Sequence, residues 1–197
     1  MTAPPRWPAP ARGFTLLELL LAMSLGMLLF GVMLQLLLGD LRLGAAMAAR
    51  LQARSQQRRS LALIGAELSS AAGWQADPEP SERWPCSLAG RRAVLAIATD
   101  PADPQARGNA AIVYSIGRAP SPIWRGAVLM RCGPAYTLEG DANLSGAFQN
   151  RVLLDRLPQD GDAAGLIARP QPDLPVLDVT LEQDLSPHGQ LSTTAAL

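Results

Sequence analysis

The feature that most constrains this chain is an uncharged apolar run near its start. From Leu19 to Leu38, twenty residues hold only Ser24 and Gln35 as polar interruptions. About 20 such residues in a helix cover the core of a bilayer, so the run predicts a membrane-spanning helix. Arg6 and Arg12 precede it with no acid before Glu18. That basic flank predicts that the short N-terminal side stays in the cytoplasm and that the remainder is exported.

A cleaved secretory signal is the competing reading. Its apolar region spans about 7 to 15 residues and ends at a small-residue cleavage site. Here the run is longer, lacks a clear A-x-A exit and continues into helical sequence through GDLRLGAAMAARLQARSQQRRSLALIGAELSSAA. An uncleaved signal anchor accommodates the length but gives Glu18 no role, and a carboxylate in a span is penalised unless it has a partner.

No proline lies between Pro10 and Pro78 in a chain holding 17 of them. One helix from Phe14 to about Ala72 is therefore expected, about 90 Å long at 1.5 Å per residue, with glycines such as Gly39 and Gly44 as weak points. Past the span, Leu61, Ile64 and Leu68 form an apolar stripe that must dock on a folded body. Arg50, Arg54 and Arg58, spaced i, i+4, i+8, line another face, which is either solvated or opposed by acidic neighbours in an assembly.

Gly73-Trp74 ends the helical pattern. Segments 93–98, 111–116, 123–131, 151–157 and 176–181 are short, apolar or alternating, and separated by Pro, Gly, Asp and Asn. They read as strands of an antiparallel sheet. Helix followed by strands gives an α+β fold with the helix stripe on one sheet face. The organisation expected is a leader over 1–13, a transmembrane part of the helix over 14–38, its amphipathic continuation over 39–72, and a β-rich external domain over 73–197.

Composition narrows the function. The 17 basic and 17 acidic residues cancel, and no like-charge run marks a nucleic-acid tail, so nucleic acid is not expected as a partner. Every basic residue is Arg, which excludes a Walker-type phosphate loop and Schiff-base chemistry. His188 is the sole histidine, and the chain has no G-x-S-x-G, H-E-x-x-H or G-x-G-x-x-G sequence. No enzyme, cofactor or metal is expected. Asp160-Gly161-Asp162 reads as an acidic turn rather than a calcium site, since the EF-hand spacing is missing. Trp74, Trp84 and Trp124 read as core or sheet-face residues, with an aromatic ligand groove as the minority reading. Cys86 and Cys132 are the only cysteines; exported, they are expected to form a disulfide, the alternative being two buried thiols.

The stretch Gly13-Phe14-Thr15-Leu16-Leu17-Glu18 resembles the processing signal of type IV prepilins and of the pseudopilins of type II secretion. The resemblance covers the first 25 to 30 residues. It implies that a prepilin peptidase cuts between Gly13 and Phe14 and methylates the new amine, and that Glu18 sets assembly register by answering that amine or a neighbouring subunit's. It also implies the pilin fold. The partners it implies are other major and minor pilins or pseudopilins, the prepilin peptidase, the inner-membrane assembly platform and the lipid bilayer. The location implied is the inner membrane, with the domain outside the cytoplasm, and then the pilus or pseudopilus. The chain resembles PilW-type minor pilins, which implies a minor pilin of a type IV pilus, with a J-type minor pseudopilin of type II secretion as the alternative; Leu61 to Leu68, Val113 to Ser115 and Leu129 to Cys132 resemble both. A major pilin is disfavoured because its bonded cysteines usually lie near the C-terminus. A membrane-anchored receptor or enzyme is disfavoured because it needs neither the cut site nor Glu18.

Overall fold

The computed structural model describes residues 13, 15–136, 143, 146–158, 165–172, 174–187 and 189–197. Phe14, His188 and the 160–162 turn lie outside the described residues. The described residues form one helix, α1 (Leu16–Ser69), followed by eight strands: β1 (Gly73–Ala76), β2 (Arg92–Ala98), β3 (Ile112–Arg118), β4 (Ala127–Pro134), β5 (Phe148–Leu157), β6 (Leu166–Pro170), β7 (Leu177–Asp184) and β8 (Gln190–Ala196). It divides into two compact units, Met1–Ala46 and Met47–Leu197.

In the first unit α1 buries none of its apolar side chains: Leu20, Leu28, Phe30 and Leu36 are all more than half exposed. This stretch of helix is long and apolar enough to cross a membrane. So much apolar surface requires lipid or other apolar helices around it.

The second unit is α+β, with the remainder of α1 packed against antiparallel sheets. Buried positions on α1 recur as Ala53, Gln57, Ser60, Leu61, Ile64 and Glu67, a stripe at helical spacing. Leu61 and Ile64 enter a core with Leu95, Ile97, Tyr114 and Leu129 from one sheet and Leu166, Leu177, Val179 and Leu181 from another. Leu68 is only half buried at its edge. Arg50, Arg54 and Arg58 are exposed.

Among the described residues two sheets are present where a single one was expected. The first is a five-stranded meander in the order β1-β2-β3-β4-β5, and the second is β6-β7-β8, all antiparallel. β7 alternates buried and half-buried positions along LDVTLEQD, the period of a strand with one face on the core. β4 is buried on both faces, because Trp84, Cys86 and Leu88 of the β1–β2 connection cover the side away from the helix. β1, β6 and β8 were not foreseen. β1 is four residues long, and β8 reads QLSTTAA with little apolar signal, so pairing with β2 and β7 decides both. The strand expected from Ile123 starts only at Ala127, with Ile123 itself 77% exposed on the connecting loop.

The helix stops at Ser69 without a glycine cap. Ser69 and Ser70 hydroxyls donate to the Ala66 carbonyl at 2.8 and 3.1 Å, answering an orphan acceptor of the last turn. Ala72 N–H then donates to the Ala98 carbonyl at 2.8 Å and commits the chain to β1.

Candidate assembly site

At the start of α1, Thr15 and Glu18 form a reciprocal cap. The Thr15 N–H and hydroxyl both donate to Glu18 Oε2 at 3.0 Å, and Glu18 N–H donates to Thr15 Oγ1 at 3.3 Å. This is a capping box: Thr15 at the N-cap, Glu18 three positions into the helix, each satisfying a donor the other's backbone would leave open. A carboxylate in the first turn also faces the positive end of the helix dipole. The T-x-x-E spacing carries this signal in the sequence, and it gives Glu18 a local role at the start of α1. Gly13 lies just upstream, and among the described residues nothing stands within 4 Å of where its Cβ would be.

Far along α1, a second carboxylate is buried. Glu67 and Arg131 each expose only 4% of the side chain. Arg131 Nε donates to Glu67 Oε1 at 2.7 Å, and Nη2 stands 2.5 Å from the same oxygen as an ion-pair contact outside hydrogen-bond alignment. The Tyr136 hydroxyl donates to Oε1 at 2.5 Å, and the Tyr114 hydroxyl donates to Oε2. Arg131 Nη1 reaches the Pro134 carbonyl at 3.2 Å, and its guanidinium lies 5.2 Å from the Tyr136 ring centre.

The sheet builds this clamp by register. Tyr114 of β3 and Arg131 of β4 are direct cross-strand partners, so both point from one face toward α1. Gly133, two residues on and on the same face, leaves room for the guanidinium to fold back; a Cβ there would stand 2.5 Å from Arg131 Cζ. Burial, and then the Glu67 charge, push the Tyr114 phenol well above its ordinary value. Tyr136 is pushed up to about 12, by burial first and then by its hydrogen bond to Glu67 and the Glu67 charge. Burial opposes the Arg131 charge, but the Glu67 hydrogen bond and charge outweigh it and the guanidinium is held more firmly protonated. Sequence reasoning missed this cluster. Its only trace was a charged residue on the apolar stripe and another inside an apolar strand.

Two further polar contacts fix α1 on the second sheet. Gln57, fully buried, donates from Nε2 to the Leu191 carbonyl at 3.2 Å and accepts from the Thr193 hydroxyl at 2.6 Å, tying the helix to β8. Cys86 and Cys132 are joined in a disulfide with Cα atoms 6.0 Å apart, holding the β1–β2 connection beneath β4. Of the tryptophans, Trp84 is buried there and donates from Nε1 to the Ala106 carbonyl at 2.8 Å, Trp74 is a half-buried residue of β1, and Trp124 sits half buried on the β3–β4 loop.

Residues 9–34 match the family described as the prokaryotic N-terminal methylation motif. They are a type IV prepilin-type signal. Such a signal supports a type IV pilin or pseudopilin in general, and points to a structural subunit anchored in a membrane by its helix and carrying a globular domain. It implies processing by a prepilin peptidase and assembly with other pilins into a pilus-like complex. No curated protein and no solved structure matches the chain, so the match to the prepilin signal concerns the residues around the Thr15–Glu18 cap and the apolar helix behind it.

Proposed function

We propose that the chain is a minor pilin of a type IV pilus, of the PilW-like kind, a structural subunit that takes part in starting pilus assembly or in its tip complex. The observation that carries this reading is the prepilin signal over residues 9–34, placed at the head of an apolar helix whose far end is clamped to an α+β body. Cleavage after Gly13 would free a cationic amine at Phe14, four positions before Glu18 in sequence. In a bundle of apolar helices an amine or carboxylate left alone is penalised, so neighbours that pair them in register are favoured. Assembly, not catalysis, is the activity. A minor pseudopilin of a type II secretion system is the second reading, supported by the stretches of α1, β3 and β4 that resemble both families.

Co-expression with a prepilin peptidase tests the first step. The product should begin at methylated Phe14, and Gly13→Ala should block or strongly slow the cut. A chain left intact by an active peptidase would refute both readings. Crosslinking in cells that hold both systems then separates them: capture with pilus subunits supports the first reading, and capture with secretion pseudopilins the second.

A further inference from the structure

Past the apolar run, α1 carries an outward stripe that the fold of this chain does not use. Met47, Leu51, Arg54 and Arg58 recur at i, i+4, i+7 and i+11, the spacing of a single helix stripe. Met47 is 57% and Leu51 66% exposed, and Arg54 and Arg58 are exposed beside them. The folded body takes the helix on another side, through Ala53, Gln57, Ser60 and Leu61. Lipid tails do not account for a bare Leu51, because Asp40, Arg42 and Arg50 come before it in the chain. The charge on this stretch is one-sided: residues 41–66 hold five Arg and no acid. Arg54 and Arg58 make neither a hydrogen bond nor an ion pair among the described residues, whereas Arg92 pairs with Asp77 and Arg131 with Glu67. Like charges four apart on a helix repel, and an acid at either position would turn that repulsion into attraction.

We propose that the stripe from Met47 to Arg58 is a docking face for the helix of a different subunit, one that presents apolar residues followed by a row of Asp or Glu at the same spacing. Met47 and Leu51 supply the non-directional attraction, and the guanidinium row decides which helix is accepted and in what register. The same row excludes a second copy of this chain. Parallel copies in register would set Arg54 and Arg58 against each other, with no acid between Asp40 and Glu67 to answer them. The face therefore selects a mixed assembly over a filament of this chain alone. It rests on the reading of the chain as an assembly subunit, whereas the acidity of the partner follows from the stripe itself.

Charge reversal tests the face on the full chain. Cys86 and Cys132 are bonded, so Met47→Cys supplies the one free thiol, and a short bismaleimide joins two chains docked along the stripe. Chains with the native row and chains with Arg54→Glu and Arg58→Glu, each also carrying Met47→Cys, are compared alone and mixed in neutral polyoxyethylene micelles. The mixture should yield about fivefold or more dimer than either chain alone. Leu51→Ser in both partners should cut that yield, and a neutral row, Arg54→Gln with Arg58→Gln, should pair with itself to an intermediate extent. Equal yields from native, reversed and mixed samples, or no dimer in any, would overturn the proposal. So would a charge preference that vanishes in phosphatidylglycerol vesicles, which would assign the row to lipid headgroups. Cleavage before Phe14 by a prepilin peptidase is scored on the same chain. A cut chain without charge preference refutes the docking face and leaves the assembly reading standing; an uncut chain with a clear preference refutes the assembly reading instead.

Discussion

Arg131 donates from Nε to Glu67 Oε1 at 2.7 Å across 64 residues of sequence, and both side chains are buried. Glu67 lies in the last turns of α1, where a carboxylate faces the negative end of the helix dipole. It is tolerated because Arg131 and two phenols meet it. Removing one member of the ion pair leaves the other buried and charged: Glu67→Ala or Arg131→Met alone should cost about 3–5 kcal/mol in the stability of the folded domain. Replacing both by Met should recover much of that loss. Denaturant unfolding of the three variants measures it; single and double variants of equal stability would show that the pair does not anchor the helix.

The two phenols make the clamp sensitive to alkali. Chain-wide, Tyr114 and Tyr136 are the only tyrosines, there is no Lys, and both cysteines are bonded. Titration between pH 9 and 12 therefore reports these two groups. Their folded pKa values are raised, that of Tyr136 from the ordinary value near 10 to about 12 and that of Tyr114 well above 10. Between pH 10 and 12 the folded state holds more protons than the unfolded one, so the associated stability is fully present below pH 10 and is lost as pH rises through the folded values. Melting temperature should fall over that window, and Tyr114→Phe with Tyr136→Phe should flatten the fall. Tyrosinate absorbance that rises with an ordinary midpoint near 10 in the native protein would contradict the clamp.

Removing the Cys86–Cys132 bridge should act on the other face of the same sheet. The bridge closes a loop across a sequence separation of 46, worth about 4 kcal/mol in the chain-entropy account. Cys86→Ser with Cys132→Ser should lower stability by that order and loosen the connection that carries Trp84, read as faster proteolysis between β1 and β2. Thiol titration of the native protein should find neither cysteine free.

The parts of this fold visible in the sequence are those governed by local pattern. The uncharged run, the proline-free stretch and the spacing of Leu61 and Ile64 are each readable without neighbours, because a helix satisfies its own backbone. Apolar strands such as β2 and β7 were legible for the same reason: their side chains announce burial. β8 and β1 were not, since their polar or short sequences become strands only by pairing. Glu67, Tyr114 and Arg131 belong to three elements, and nothing local in a sequence says that a carboxylate on α1 will land over the β3–β4 register. The Thr15–Glu18 cap was legible, as T-x-x-E, but the membrane setting drew the reading toward the amine instead.

Glu18 has one observed role and one proposed role, and mutation can separate them. Its carboxylate caps α1 through Thr15, and in the proposed assembly it also answers the Phe14 amine of its own or a neighbouring subunit. Glutamine can fill the cap, since a capping box accepts Glu or Gln at this position, but it carries no charge. Glu18→Ala loses both roles, whereas Glu18→Gln loses only the second. Insertion should survive in both variants, because each makes the span less charged. Cleavage after Gly13 should survive as well, as the resemblance has the peptidase reading mainly the leader. Incorporation should fail equally in the two, since either leaves the amine without its counter-charge among apolar helices. Crosslinking to partner subunits at matched membrane levels measures this. Near-normal incorporation of Glu18→Gln beside failure of Glu18→Ala would mean that the cap, not the charge pair, is what assembly requires.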